Sequence, residues 1–304
     1  MLKFSLRQLE YFVTTADRLS IAAAARDLNV SQPSLSQGLS KMEAAIDVQL
    51  FVRHTARGVS LTPAGSRLLS EARRLLRHTQ DFQLHAEEIG DVTKGLLEVG
   101  CFSPFAPVHM PGLIASFTER HPGVDIHLHE GDQDDLVSGL TSGLYDLAML
   151  YDLELPPEIT VDTLAEYKPY VLLPAGHPFE RAPEIGLAQL VDEPLILLDV
   201  PPSREYFTGL FHQIGLKPRI AMSSPSLEIV RGFVGRNLGY SLLVTRPYYD
   251  HTSDGRAIVT RPLAGETPPS AIGVAKLKPT HATRLMRTFT EFCKEWFHGT
   301  ELNH

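Results

Sequence analysis

The spacing of apolar residues changes once along this chain, near residues 90–95, and the change rules out a single repeating architecture. Before that point apolar side chains recur every three or four positions, the period of a helix face. After it, short apolar runs alternate with helical stretches. The spacing predicts strands at 96–100, 124–128 and 147–151 with helices at 108–119 and 134–142 between them. A second series follows, with strands at 170–173, 195–198, 219–222 and 241–244 and helices at 205–214 and 226–236. Alternation of this kind predicts parallel sheets covered by helices, and two such series predict two lobes. A last strand at 271–275 and a helix at 280–296 are expected to return to the first lobe.

The chain has 304 residues, 43% of them hydrophobic and 21% charged, which suits several domains with real cores. Its longest apolar runs, such as 195–198, are too short to span a bilayer, so no membrane partner is expected. Residues 1–12 carry Lys3, Arg7 and Glu10 and lack an apolar signal core. Only two cysteines occur, Cys101 and Cys293, in no metal-type spacing. A reduced, cytoplasmic setting is the expectation. The net charge of −8 argues against a nucleic-acid partner only when averaged over the whole chain. Residues 1–90 hold eleven basic and nine acidic residues, a net of +2, and the rest of the chain carries −10.

In the positive part, Leu6, Leu9, Phe12 and Val13 mark the inner face of a helix starting near Ser5. Ser20 can cap a second helix at 21–28, and Asn29 and Val30 form a short turn. Ser31 then caps a third helix, whose first turn takes Pro33 without cost. Leu35, Leu39 and Met42 point inward, so Gln32, Ser34, Ser36, Gln37, Ser40 and Lys41 form the opposite face. That face is small, polar and poor in carboxylates, which suits base edges and phosphates. Two helices joined by a tight turn, the second with such a face, describe a helix-turn-helix, although a solvated face on an ordinary helical domain has the same spacing. Residues 53–61 read as two short strands around Gly58, a wing that carries Arg53 and Arg57.

Several motifs in fixed order now make a resemblance specific. Leu6-Arg7-Gln8-Leu9-Glu10-Tyr11-Phe12, Ser20-Ile21-Ala22-Ala23-Ala24-Ala25 and Ser31-Gln32-Pro33-Ser34-Leu35-Ser36 resemble the LysR-type transcriptional regulators. So do Leu50-Phe51-Val52-Arg53 and Leu61-Thr62-Pro63-Ala64-Gly65. The resemblance covers about the first 65 residues. It implies that Gln32, Pro33, Ser36 and Gln37 contact operator DNA, with Arg53 and Arg57 in the wing, and that the protein assembles as a homotetramer on a pseudo-palindromic site. It also implies that residues 92–304 form an effector domain of the periplasmic-binding-protein type. Three positions depart from the pattern: Gly38 inside the recognition helix, and Asp47 and Gln49 where the family usually has Gly and Pro.

Thr62 caps a long helix from Pro63, along which Leu68, Ala72, Leu75, Thr79, Phe82, Ala86 and Ile89 step by alternating fours and threes. That seam predicts pairing with a second copy, giving a homodimer; packing on the chain's own domain is the alternative. The organisation read from the sequence is α+β and multidomain. It comprises a winged helix-turn-helix at 1–62, a linker and dimerisation helix at 63–89 and a two-lobed α/β domain at 92–304. Lobe I takes 92–165 and 267–304, and lobe II takes 166–266.

In open α/β sheets ligands sit beyond the carboxyl ends of strands, against helix N-termini. That rule selects Phe102-Ser103-Pro104-Phe105, the Gln133 turn, Pro201-Pro202-Ser203-Arg204 and Ser223-Ser224-Pro225-Ser226. Ser103, Ser203, Ser224 and Ser226 offer hydroxyls, and Arg204 offers a two-pronged grip on a carboxylate. Phe102, Phe105, Tyr151 and Phe207 supply an aromatic wall. The expected effector is a small organic acid with an aromatic body; Asp132, Asp134, Asp135 and Asp152 at the same mouth leave a cation or amphipath as the alternative.

The chain has no nucleotide-binding glycine loop, no G-x-S-x-G and no His-Glu-x-x-His. His127 and His129 share a strand face near His121 but lack further convergent ligands, so neither a metal nor another cofactor is expected. Both cysteines read as core thiols. The expected function is a regulator that binds double-stranded promoter DNA and is not an enzyme. A small molecule bound between the lobes would shift the population of assembly geometries. An enzyme or carrier built on 92–304 is the competing class.

Overall fold

The computed structural model describes residues 3–54, 58–87, 94–268, 270–278 and 282–299, with 80–87 as backbone alone. The described chain divides into two compact units. One contains 1–95 together with 138–146, and the other contains 96–137 and 147–304.

The first unit opens with α1 (Leu6–Arg18), α2 (Ile21–Asp27) and α3 (Gln32–Ile46). Ser5, Ser20 and Ser31 cap the three helices, each accepting a hydrogen bond from the backbone N–H three residues on. Leu9, Phe12, Ala24, Ala25, Leu35, Leu39 and Met42 are buried together with Leu50, Phe51 and Val59. Leu6, expected inside, is 44% exposed. It is the first helical residue and lies beyond the packed turns, where Tyr11, Thr15 and Ala16 take the inward positions instead. The wing consists of β1 (Phe51–His54) and β2 (Gly58–Leu61), paired antiparallel with Phe51 opposite Leu61. Gly58 has φ +81°, and a side chain there would strike the Leu19 carbonyl. The next residue, Val59, donates its N–H to that carbonyl at 3.0 Å, which ties the wing to the end of α1.

From Thr62, which accepts the Gly65 N–H at 2.9 Å, α4 (Pro63–Glu87) runs on with two apolar faces. Leu69, Ala72 and the partly buried Leu76 belong to the core of the first unit. Leu68 and Leu75, seven residues apart, are exposed. Ala72 therefore leaves the expected seam for the core, because a helix packed on its own domain spends one stripe there. The seam positions Phe82 and Ala86 lie where only backbone is described, and Ile89 lies outside the described residues. Arg73 donates to Asp17 at 2.5 Å and to the Ser142 carbonyl at 3.2 Å, both within this unit.

The remaining elements are β3 (Lys94–Phe102), α5 (Ala106–Arg120), β4 (Gly123–Gly131), α6 (Gln133–Thr141), β5 (Leu147–Tyr151), β6 (Ile159–Tyr167), β7 (Tyr170–Pro174) and α7 (Leu187–Leu190). They continue with β8 (Pro194–Leu198), α8 (Ser203–Gln213), β9 (Arg219–Ser224), α9 (Leu227–Gly235), β10 (Ser241–Leu243), β11 (Ile258–Pro262), β12 (Ser270–Leu277) and α10 (Arg284–Gly299). The first lobe is a five-stranded sheet ordered β4-β3-β5-β12-β6, in which β3 and β5 are parallel. Its core holds Val99, Met149, Ile272 and Val274, with Phe117 of α5 edge-on to Phe289 and Phe292 of α10. The chain end does return to this lobe, but β12 runs antiparallel to both its neighbours, so the sheet is mixed. The reason is geometric: β12 enters beside the ends of β5 and β6, with Ser270 opposite Tyr167, and must run back along them. In the second lobe β8 and β9 are parallel, whereas β10-β7-β11 is antiparallel. The strands β6 and β11, absent from the sequence reading, are edge strands whose alternation is interrupted by Thr and charged residues.

The edge strand β6 is secured by charge. Asp162 accepts hydrogen bonds from Lys276 of β12 at 2.8 Å and from Lys294 of α10 at 2.7 Å. The Lys276 hydrogen bond, then that from Lys294, holds the carboxyl below its ordinary value. A carboxyl whose folded pKa is lowered stabilises the fold above its unfolded pKa, about 4, and loses that contribution as pH falls through the folded value. Asp162→Asn is expected to lower stability by up to about 1 kcal/mol at pH 7, the pairs being partly exposed. The difference from wild type should shrink progressively below about pH 4, as read by urea unfolding across pH.

Candidate nucleic-acid interface and effector cleft

Burial of Leu35, Leu39 and Met42 turns the rest of α3 outward. Gln32, Pro33, Ser34, Gln37, Ser40 and Lys41 are exposed, and Ser36 is half-buried. Arg53 on β1 reaches across to this face, donating to Ser36 Oγ at 3.2 Å and Ser40 Oγ at 2.9 Å. The arrangement joins the wing's cation and the helix hydroxyls into one polar surface. Arg57 lies outside the described residues. The carboxylate on α3 nearest the wing, Glu43, is turned away from that surface and accepts the N–H groups of Leu50 and Phe51 at 2.8 and 3.2 Å. Sequence reasoning missed that anchor, because it joins a side chain to backbone seven and eight residues further on, across the turn that ends α3.

The three departures also find their reasons. Asp47 ends α3 with φ +55°, a left-handed conformation that Asp tolerates and Gly adopts freely. Gln49 donates to the Phe51 carbonyl at 3.0 Å and its own carbonyl accepts from Thr62 Oγ1 at 2.7 Å, so the turn before the wing is held by hydrogen bonds. At Gly38 the ring of Tyr11 lies where a Cβ would be, 2.7 Å from it, and Gln8 donates to the Gly38 carbonyl at 3.2 Å.

The residues expected at the ligand fall into three groups. Phe102, Pro104, Tyr151, Ser203 and Phe207 come together between the lobes with Leu198, Tyr206, Leu227 and Thr245. Their rings fill the space, leaving about 20 Å³, room for a single water. The Tyr151 hydroxyl shares a hydrogen bond with Thr245 Oγ1 at 3.1 Å, and Tyr170 donates to the Thr245 carbonyl at 3.0 Å. Burial pushes the Tyr151 hydroxyl up to about 12, so it stays neutral. At the mouth, Ser103, Pro104 and Ser226 line a wider cavity of about 440 Å³ with Glu130, Glu228, Tyr248 and Tyr249.

The third group lines neither space. Phe105 is fully buried, stacked on His109 at 4.1 Å and facing Phe297. Ser224 accepts the Ser226 N–H, and Gln133 donates to the Leu153 carbonyl at 2.6 Å. Arg204 is paired through Nε and Nη2 with both carboxylate oxygens of Asp199 five residues earlier, and this contact depresses the Asp199 carboxyl. The expected carboxylate grip is therefore already occupied, and the charged residues lining the mouth are both carboxylates. Of the offered hydroxyls, Ser226 caps α9 and Ser103 donates to the Gly131 carbonyl at 3.1 Å. Thr245, Tyr248 and Tyr249 follow β10, so the strand-end rule extended to that loop would have found them.

His127 and His129 pair with Glu98 on β3 at 3.1 and 2.6 Å. Both cysteines are buried free thiols, pushed up by burial. Among the described residues no helix is long and apolar enough to cross a membrane.

Two family models match the chain: "Bacterial regulatory helix-turn-helix protein, lysR family" over residues 6–66 and "LysR substrate binding domain" over 90–298. The chain belongs to the LysR family of transcriptional regulators. It is a DNA-binding regulator with an effector-binding domain. Among solved structures, HinK of Pseudomonas aeruginosa, a LysR family transcriptional regulator, is 45% identical with a TM-score of 0.66, covering 97% of this chain and 98% of that one. The PA01 protein of Pseudomonas aeruginosa, a putative LysR family regulator, is 44% identical at the same TM-score, covering 97% and 99%. CbnR solved with its target DNA shares the fold at 23% identity and TM-score 0.57, covering 97% and all of that chain.

The contact at Gly38 makes an uncommon forecast for this LysR-family chain. Alanine favours a helix over glycine by about 1 kcal/mol, yet the added Cβ overpacks a buried ring at a cost of about 1–3 kcal/mol. Gly38→Ala is expected to lower stability in urea unfolding of the full chain.

Proposed function

We propose that this regulator reads promoter DNA with the outward face of α3, through Gln32, Pro33, Ser34, Ser36, Gln37 and Lys41, while Arg53 and Arg57 of the wing bind the backbone or minor groove. The observation that carries the reading is the pair of hydrogen bonds from Arg53 to Ser36 and Ser40. They hold a cation against a face whose nearest carboxylate is engaged with backbone elsewhere. The DNA complex of CbnR supports the same use of the fold. The exposed Leu68 and Leu75 of α4 pair two copies, and two such dimers form a homotetramer on a pseudo-palindromic site. The −10 charge of residues 91–304 repels phosphate and confines contact to the head. A small organic effector with an aromatic body binds between the lobes, displacing the rings that fill the cleft, and biases the spacing of the heads. The carboxylate expected on that effector has no anchor at Arg204, which Asp199 holds.

Arg53→Ala is expected to weaken binding to all promoter sequences alike, and to reduce the slope of log affinity against log salt by about 1. Fluorescence anisotropy with upstream DNA of its own or a neighbouring gene measures both; an unchanged affinity and slope would remove the wing from the interface. Leu75→Glu should shift the protein towards monomer in sedimentation, and an unshifted oligomer would refute the α4 seam.

A further inference from the structure

A second cavity of about 510 Å³ opens where the chain crosses between the lobes, at the ends of β6 and β11 and the start of β7. Its lining differs in charge from the mouth of the cleft. Lys168, Arg246 and Arg261 face one carboxylate, Glu166, whereas the charged groups at the mouth are Glu130 and Glu228. A net positive lining is out of character for a region that carries −10. Apolar and aromatic walls come from His109, Tyr167, Pro169, Tyr170, Val244 and Leu263.

We infer that this cavity binds a small organic anion with a flat apolar body, gripped by Arg246 and Arg261. Neither guanidinium is spent as Arg204 is. Arg246 meets Asp250 only at 3.9 Å, and that aspartate is 68% exposed, so the pair is weak and screened. Arg261 donates from Nη1 to the neighbouring Thr260 carbonyl at 2.6 Å and leaves the rest of its fork for a carboxylate. The cavity also adjoins the closed cleft. Val244 lines both, and Thr245 beside it receives Tyr170 from one side and Tyr151 from the other. The inference keeps the acid class of effector and moves its charge from Arg204 to this second cavity.

The single tryptophan of the chain provides the readout, since Trp296 lies edge-on to the cavity-lining His109 at 6.4 Å between ring centroids. The full-length protein is titrated with phenylacetate and, separately, with its uncharged counterpart phenylacetamide. Phenylacetate is expected to change Trp296 fluorescence saturably, and the amide to bind at least about tenfold more weakly. Arg246→Gln and Arg261→Gln should each weaken phenylacetate by about tenfold, the loss of one charge-assisted hydrogen bond. Arg219→Gln, an exposed charge elsewhere in the second lobe, should leave it unchanged. Arg246→Lys and Arg261→Lys, which keep the charge, carry the comparison if a glutamine variant does not fold, and should retain preference for the acid over the amide. No saturable signal up to about 10 mM, a very weak affinity, would overturn the site. Equal binding of acid and amide, or an equal effect of Arg219→Gln, would do the same. Binding that survives both arginine substitutions would assign the anion to the cleft instead. DNA affinity of the same variants, measured without ligand, separates failure of this site from failure of the DNA-binding reading.

Discussion

The insertion of β12 between β5 and β6 is the constraint on which the ligand-binding half depends. It completes the first lobe with residues from near the chain's end, so the second lobe is necessarily an excursion that leaves after β6 and returns before β12. Both crossings are then anchored in one sheet, beside the end of β5 where Tyr151 lies. The strand ends, the packed cleft and the cationic cavity meet there because the crossings bring them together. The charge cluster at Asp162 serves the same purpose, pinning the edge strand to β12 and to α10.

The head is governed by a different economy. The first three helices each have one apolar stripe, and once it is buried the remaining faces have no choice of direction. On α3 that leaves small polar side chains outside, with Arg53 laid across them. On α4 a second stripe remains, and its leucines are exposed. An exposed pair of leucines seven residues apart on one helix is the pattern a second copy would cover.

Much of this was legible in the residues. The three serine caps, the order of the head helices and the wing follow from local rules, in which a side chain answers a backbone group a few positions away. The doubly alternating pattern after residue 95 likewise identified two lobes and the return of the last strand. What escaped were the features defined by distant partners. The strands β6 and β11 carry Thr and charged residues within their runs, which weakens the period-two signal. Ala72 and Leu75 look alike in a heptad, and only packing against the head separates them.

The ligand-side residues show where the boundary lies. Phe102, Tyr151, Ser203 and Phe207 were within reach of a strand-end rule, because in an α/β sheet the direction of the strands places the loops after them. Whether a group in such a loop is available is another matter. Arg204 has the right chemistry and is held by Asp199, whereas Arg246, in the loop after β10, and Arg261 of β11 share one cavity and keep donors for a ligand. Amino-acid type and spacing specify which elements form and which face is apolar, since those are short-range matters of backbone and solvent. Availability depends on which charge sits opposite which in space, and that is set by how the backbone turns and packs: Asp199 is only five residues from Arg204, while the cationic cavity draws its lining from residues 109 to 263.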